Sequence, residues 1–225
     1  MMKISVIGTG KTGGKVVEML GEHLLHTFDA TNPPTVDALQ ESDAVIIFVP
    51  GDAVPDLMPI VLESGTPAAW GSTGNEWPDD LDKQVKEAST RWVLATNFSL
   101  GMNIIRKSIE AISVGSNILK NPSYHIHEVH HVHKKDAPSG TALSWKEWLN
   151  KEVKVTSARE GDVNGIHELK VRTATEEITL KHEALDRALF AEGAIWAAEQ
   201  LINQEELADG VYAFGQLFDR VTGLS

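Results

Sequence analysis

Between positions 124 and 141 the chain reads Tyr124-His125-Ile126-His127-Glu128-Val129-His130-His131-Val132-His133-Lys134-Lys135-Asp136-Ala137-Pro138-Ser139-Gly140-Thr141. Five of the protein's nine histidines fall in nine consecutive positions here, a concentration that a solvated charged surface does not require. Two chemistries suit it. One is acid–base work on an anion: imidazole titrates near pH 6.5, and a lysine crowded by other cations gives up its proton more readily. Lys134 and Lys135 add positive charge. Ser139-Gly140-Thr141 stands where a helix should begin, so unpaired N–H groups and hydroxyls would face a carboxylate or phosphate. Ser139 or Thr141 acting only as a helix cap would leave the adjacent histidines and lysines unexplained. The other chemistry is zinc. His127-Glu128-Val129-His130-His131 fits H-E-x-x-H, which binds metal from one face of a helix. Ile126, Val129 and Val132 favour a strand instead, in which residues 127 and 131 are separated by four rises of about 3.3 Å, too far to share one ion. No metal is therefore expected.

The second chemical motif is Gly8-Thr9-Gly10-Lys11-Thr12-Gly13, a G-x-G-x-x-G between a strand-like run and a helix-like one. Its glycines suit a tight turn, close approach of a pyrophosphate and close helix–strand packing, and the helix N-terminus attracts the anion. The next strand should end at Phe28-Asp29, which puts the Asp29 carboxylate where it meets ribose hydroxyls. A P-loop is excluded, because the residue six after Gly8 is Gly14 and not Lys. Gly71-Ser72-Thr73-Gly74 and Ala95-Thr96-Asn97-Phe98-Ser99 fall where further parallel strands should end, the side on which open α/β sheets bind ligands.

These segments need elements to hold them. Over the first hundred residues, short apolar runs (Ile4–Ile7, Ala44–Val49, Trp92–Ala95) alternate with helix-length segments (Gly14–Gly21, Val54–Glu63, Leu81–Ala88), the pattern of βαβ units around a parallel sheet. A helix over Gly101–Ile112 then leads to the His-rich strand, a helix over Thr141–Asn150, and strand-like runs at Val153–Ser157, His167–Thr173 and Glu176–His182. Strands without intervening helices predict a smaller α+β domain with a mixed or antiparallel sheet. Leu189, Phe190, Ala194, Ala197, Leu201 and Ile202 recur at helical spacing over Asp186–Asn203. The expected division is a dinucleotide-binding domain over 1–99, completed by 194–225, and a substrate-binding and oligomerisation domain over 100–193.

Composition narrows the classes. With 225 residues, 42% hydrophobic and 23% charged, the chain buries a real core. The absence of cysteine removes disulfides and thiolate chemistry. A net charge of −12 argues against nucleic acid as a partner. No apolar run approaches the roughly 20 residues of a membrane span, and no secretory leader fits before the strand at Ile4, so a cytoplasmic location is expected.

Glu128-Val129-His130-His131-x-x-Lys134-x-Asp136-Ala137-Pro138-Ser139-Gly140-Thr141-Ala142 resembles the signature of the dihydrodipicolinate reductase family, the 4-hydroxy-tetrahydrodipicolinate reductases of bacterial lysine and diaminopimelate biosynthesis. The likeness extends to the Gly-rich turn, the loop at 71–74, Asn97-Phe98-Ser99-x-Gly101 and Arg187-x-x-Phe190-Ala191-x-Gly193-Ala194. It implies a Rossmann-like domain, a substrate domain, and reduction of a cyclic imine dicarboxylate by NADH or NADPH. It also implies proton chemistry at His130 and Lys134, substrate binding by His131, Gly140 and Thr141, and cofactor contacts along 8–13, at Asp29, at 71–73 and at 95–98. Ser72 stands for the family's usual Thr and Thr96 for its usual Pro. The stretch from Arg172 to His182 is short by about a hairpin in the sheet through which the family forms tetramers, so a tetrameric or dimeric homo-oligomer is expected. Asp29 favours the ribose hydroxyls of NADH, whereas Lys11 would attract the 2′-phosphate of NADPH. The rival classes are a non-catalytic NAD-binding sensor, which needs only the first motif, and a zinc hydrolase built on His127, Glu128 and His131.

Overall fold

The computed structural model describes residues 1–204 and 206–224. The chain divides into two compact units, Met1–Leu100 with Ala188–Ser225, and Gly101–Arg187.

In the first unit, strands β1 (Ile4–Ile7), β2 (Leu24–Phe28), β3 (Ala44–Ile47), β4 (Ala68–Trp70), β5 (Arg91–Leu94) and, late in the chain, β10 (Gly210–Ala213) form one sheet. Its order is β10-β5-β4-β3-β1-β2, and every pairing is parallel. The central strands are apolar on both sides because both sides are covered. Ile4, Val6, Ala44, Ile46, Ala69 and Val93 pack into one cluster with α1 (Lys11–Leu20), α7 (Ala188–Asn203) and α8 (Phe214–Thr222). Ile7, Val45, Ile47, Ala68, Trp70 and Trp92 pack on the opposite face with residues of α2 (Val36–Gln40), α3 (Val54–Ser64) and α4 (Leu81–Glu87). This is a doubly wound, Rossmann-like sheet whose order reverses at β1. The chain rejoins this unit at Ala188 and not at residue 194, because α7 lies on it along its whole length. Ala191, Gly193, Ala194, Ala197 and Ala198 are buried, and a Cβ on Gly193 would sit 1.6 Å from the Phe98 carbonyl oxygen.

The second unit holds α5 (Leu100–Gly115), which begins at the boundary, then β6 (Ser123–His130), α6 (Gly140–Leu149), β7 (Lys154–Arg159), β8 (Ile166–Arg172) and β9 (Glu177–Glu183). The sheet order is β7-β6-β8-β9. β7 pairs parallel to β6, and β8 and β9 run antiparallel, so the sheet is mixed. The parallel pair follows from α6, a helical crossover between β6 and β7. Met102, Ile105 and Ile109 of α5 and Ala142, Trp145 and Leu149 of α6 cover one face, against Ile126, Leu169 and Val171.

Candidate active site

At the carboxyl end of β1, Gly8 has φ +88°, and a Cβ there would lie 2.2 Å from the Phe48 carbonyl oxygen. Gly13, in the first turn of α1, could carry no Cβ either, since it would lie 1.8 Å from the Gly8 oxygen. Both contacts keep α1 tight against β1 and β3. A Cβ on Gly10 meets nothing within 4 Å, and Gly10 caps α1 with no side-chain hydrogen bond. The helix start is thus bare, with open space before it, which suits a phosphate. Thr9, Lys11 and Thr12 complete the turn.

Asp29 follows β2. Its Oδ1 accepts from the Thr31 N–H (2.8 Å), the Thr31 hydroxyl (2.7 Å) and the Asn32 N–H (3.1 Å). The Thr31 hydroxyl first, then the two N–H groups, hold the carboxyl below its ordinary range. Gly71-Ser72-Thr73 leaves β4, and Gly71 donates its N–H to the Ile47 oxygen (2.8 Å). The Ser72 hydroxyl is buried without a hydrogen-bond partner, an observation that fits a loop whose polar groups await a ligand. Ala95-Thr96-Asn97 leaves β5, with the Asn97 side chain accepting from the Ser99 N–H (2.8 Å). Phe98 is different in kind: its ring is buried, 5.9 Å from that of Phe48 and 4.9 Å from that of Phe214, so it shapes the site from the core. These segments all belong to the first unit, and they fit a dinucleotide.

In the second unit β6 is a strand, and alternation splits its histidines. Ile126, Glu128 and His130 are buried on the helix-covered face. His125 Nε2 and His127 Nδ1 both meet the Thr156 hydroxyl, at 2.8 and 2.9 Å. His127 and Glu128 therefore lie on opposite faces, and His131 falls beyond the strand's end. His127, Glu128 and His131 thus do not converge on one ion.

Strand register builds something else. Ser157 of β7, Glu128 of β6, His167 of β8 and His182 of β9 are in one lateral row, each paired with the next. The row crosses the end of an otherwise apolar face, whose neighbouring row is Val155, Ile126, Leu169 and Leu180. Glu128, fully buried, accepts on Oε1 from the Ser139 N–H (2.9 Å) and from Arg159 (3.3 Å). Burial alone would raise this carboxyl; hydrogen bonds from Ser139, Ser157 and Arg159 outweigh it and lower the pKa to about 2. His130 Nε2 lies 3.3 Å from His167 Nε2. Burial lowers the pKa of both imidazoles despite the carboxylate beside them, that of His167 to about 4. Both rings are neutral at pH 7.

Lys134 follows in the loop after β6, its Nζ 2.9 Å from Asp136 Oδ1. That ion pair, and the Gly140 N–H to a smaller degree, hold Asp136 below the ordinary carboxyl range. Arg159 ties the loop to the sheet by donating to the Lys134 and Asp136 carbonyl oxygens. Ser139 is the N-cap of α6, accepting from the Ala142 N–H (3.1 Å), so its capping role is real. The helix begins at Gly140, one residue before the expected start, with Gly140 exposed and Thr141 half-buried.

A family model described as "Dihydrodipicolinate reductase, C-terminus" matches residues 101–218. The chain belongs to the dihydrodipicolinate reductase family. Relatives agree: it is 33% identical to the 4-hydroxy-tetrahydrodipicolinate reductase of Bdellovibrio bacteriovorus over 74% of this chain and 73% of that one. It is 34% identical to the enzyme of the same name from Rickettsia africae, over 88% and 92%. Among solved structures, a dipicolinate-bound dihydrodipicolinate reductase from Paenisporosarcina sp. TG-14 covers 95% of this chain and 97% of its own with a TM-score of 0.75. At 15% identity that likeness speaks for the fold. The stretch that resembles the family's signature runs from the buried end of β6 to the first turn of α6. Its partners Arg159 and His167 carry no signal of their own in the sequence, because only strand register brings them to Glu128.

Proposed function

We propose that the chain reduces the conjugated cyclic imine dicarboxylate of lysine and diaminopimelate biosynthesis, formed from 4-hydroxy-tetrahydrodipicolinate by loss of water, to tetrahydrodipicolinate. The relatives at 33% and 34% identity carry this reading. A nicotinamide cofactor supplies the hydride when bound. Gly8, Thr9, Gly10, Lys11, Thr12 and Gly13 would cradle its pyrophosphate, Asp29 its ribose, and residues 71–73 and 95–98 the remainder. The bare start of α1 and the orphaned Ser72 hydroxyl support those assignments.

On the substrate side, Lys134 gives a proton to the enamine left by hydride addition, with His130 in support. His131, Gly140 and Thr141 hold one carboxylate. The Asp136 carboxylate already accepts from Lys134 and from the Gly140 N–H, which supports a carboxylate as the ligand of these donors. The substrate's carboxylate would take over part of that set. Asp29 favours NADH. A homo-oligomer, a small-molecule dicarboxylate as the ligand and a cytoplasmic location belong to the same reading; among the described residues no helix is long and apolar enough to cross a membrane.

The test is substrate-dependent loss of reduced nicotinamide absorbance, with chelator present. Oxidation only when the imine dicarboxylate is supplied is the expected result. Tight cofactor binding with no oxidation would favour the sensor reading.

A further inference from the structure

We propose that Glu128, His130 and His167 form a binding site for one divalent transition-metal ion of the zinc type. His130 Nε2 and His167 Nε2 are 3.3 Å apart, and Glu128 Oε2 is 3.4 Å from the first and 3.5 Å from the second. Zinc takes imidazole nitrogen at about 2.0–2.1 Å and carboxylate oxygen at about 2.0–2.2 Å, and the edge of a tetrahedron with such bonds is about 3.3–3.5 Å. All three edges of the triangle agree with that. An ion near its centre would be about 2.0 Å from each atom.

Two further features suit a metal. Glu128 Oε2 is buried and has no hydrogen-bond partner, an arrangement that costs free energy unless something pairs with it. Its sister Oε1 is held by the Ser139 N–H and Arg159, which aims Oε2 at the rings. His130 also hydrogen-bonds the Asn164 backbone, which orients its ring, and an ion would take the place of the contacts that His167 Nε2 makes with His130 Nε2 (3.3 Å) and with the Ser139 hydroxyl (3.1 Å). The site differs from the H-E-x-x-H ligand set: it keeps Glu128, takes His130 from an x position in place of His127 and His131, and draws His167 from another strand.

Because His130 is also the proposed supporting acid–base group, an ion here would inhibit turnover. That consequence rests on the proposed function; the binding itself does not. The full-length protein, stripped with chelator and dialysed, is titrated with cobalt(II) and zinc(II). One equivalent of cobalt should bind and give the visible ligand-field absorption of a four- or five-coordinate site. His167→Gln, with folding checked by its melting curve, should lose that absorption and bind zinc about a hundredfold or more weakly, since even outer-shell changes cost about 10–100-fold. His125→Gln should bind as the wild type does. Absence of cobalt absorption in the wild type would overturn the site, leaving a hydrogen-bonded cluster only. Equal binding by His167→Gln would overturn it too, placing the ion on His125 and His127. Zinc should also suppress turnover reversibly; cobalt absorption with unaffected turnover would keep the site and contradict the role of His130 instead.

Discussion

Glu128 and His167 stand opposite each other on antiparallel strands β6 and β8, a fully buried carboxylate 3.5 Å from a buried imidazole. Such a pair would ordinarily share a proton and a charge. Here burial keeps the ring neutral, while Ser139, Ser157 and Arg159 take charge of the carboxylate.

The pair makes stability depend on pH. In the unfolded chain a histidine protonates below about 6.5, whereas folded His167 resists until about 4. The unfolded state therefore binds more protons between those values, and stability falls as pH drops through that window, by up to about 3 kcal/mol. Below it, Glu128 adds further loss as pH falls from the ordinary carboxyl range toward about 2. Melting of the chelator-treated protein should drop steeply from pH 7 to pH 5. His167→Phe should flatten that slope; an unchanged slope would mean that other groups cause it.

Substrate anchoring is open to a clean test, because a Cβ at Gly140 meets nothing within 4 Å. Gly140→Ala should keep the wild-type melting temperature yet raise the KM for substrate. Thr141→Val should raise it about tenfold, the equivalent of about 1.4 kcal/mol, and leave that for NADH nearly unchanged. Pyridine-2,6-dicarboxylate should inhibit competitively and weaken in step with both variants. Unchanged inhibition of Thr141→Val would move the carboxylate site elsewhere and leave the turn as a helix cap.

Cofactor choice rests on Asp29 against Lys11. The three donors at Asp29 all reach Oδ1, which leaves Oδ2 for a ribose hydroxyl. The KM for NADH should be at or below that for NADPH, and Asp29→Ala should raise it about tenfold. NADPH binding at least tenfold tighter in the wild type would show that Lys11 dominates.

Much of this was legible in the sequence because the signals are local. The Gly8–Gly13 turn, the strand at Ile4–Ile7 and the helical spacing of α7 each lie within one segment. β10 was not, since Gly210-Val211-Tyr212-Ala213 is too short for any periodicity and becomes a strand by pairing with β5. α2 is five residues long, and α8 carries helical spacing only in the buried Phe214, Leu217 and Phe218. On the site, His130, Lys134, Gly140 and Thr141 stood out as one contiguous string. His167 and Ser157 did not, because they reach Glu128 only through the register of β6 with β7 and β8, which no local pattern encodes.

The most direct test of the account is the turnover of Lys134→Met with saturating cofactor and chelator present. Lys134 is paired with Asp136 in an exposed loop, so the fold should tolerate its loss, and NADH affinity should remain as in the wild type. Removal of a positioned acid should cut turnover by about 10²–10⁴-fold. Turnover within threefold of the wild type would contradict the assignment of Lys134 as proton donor.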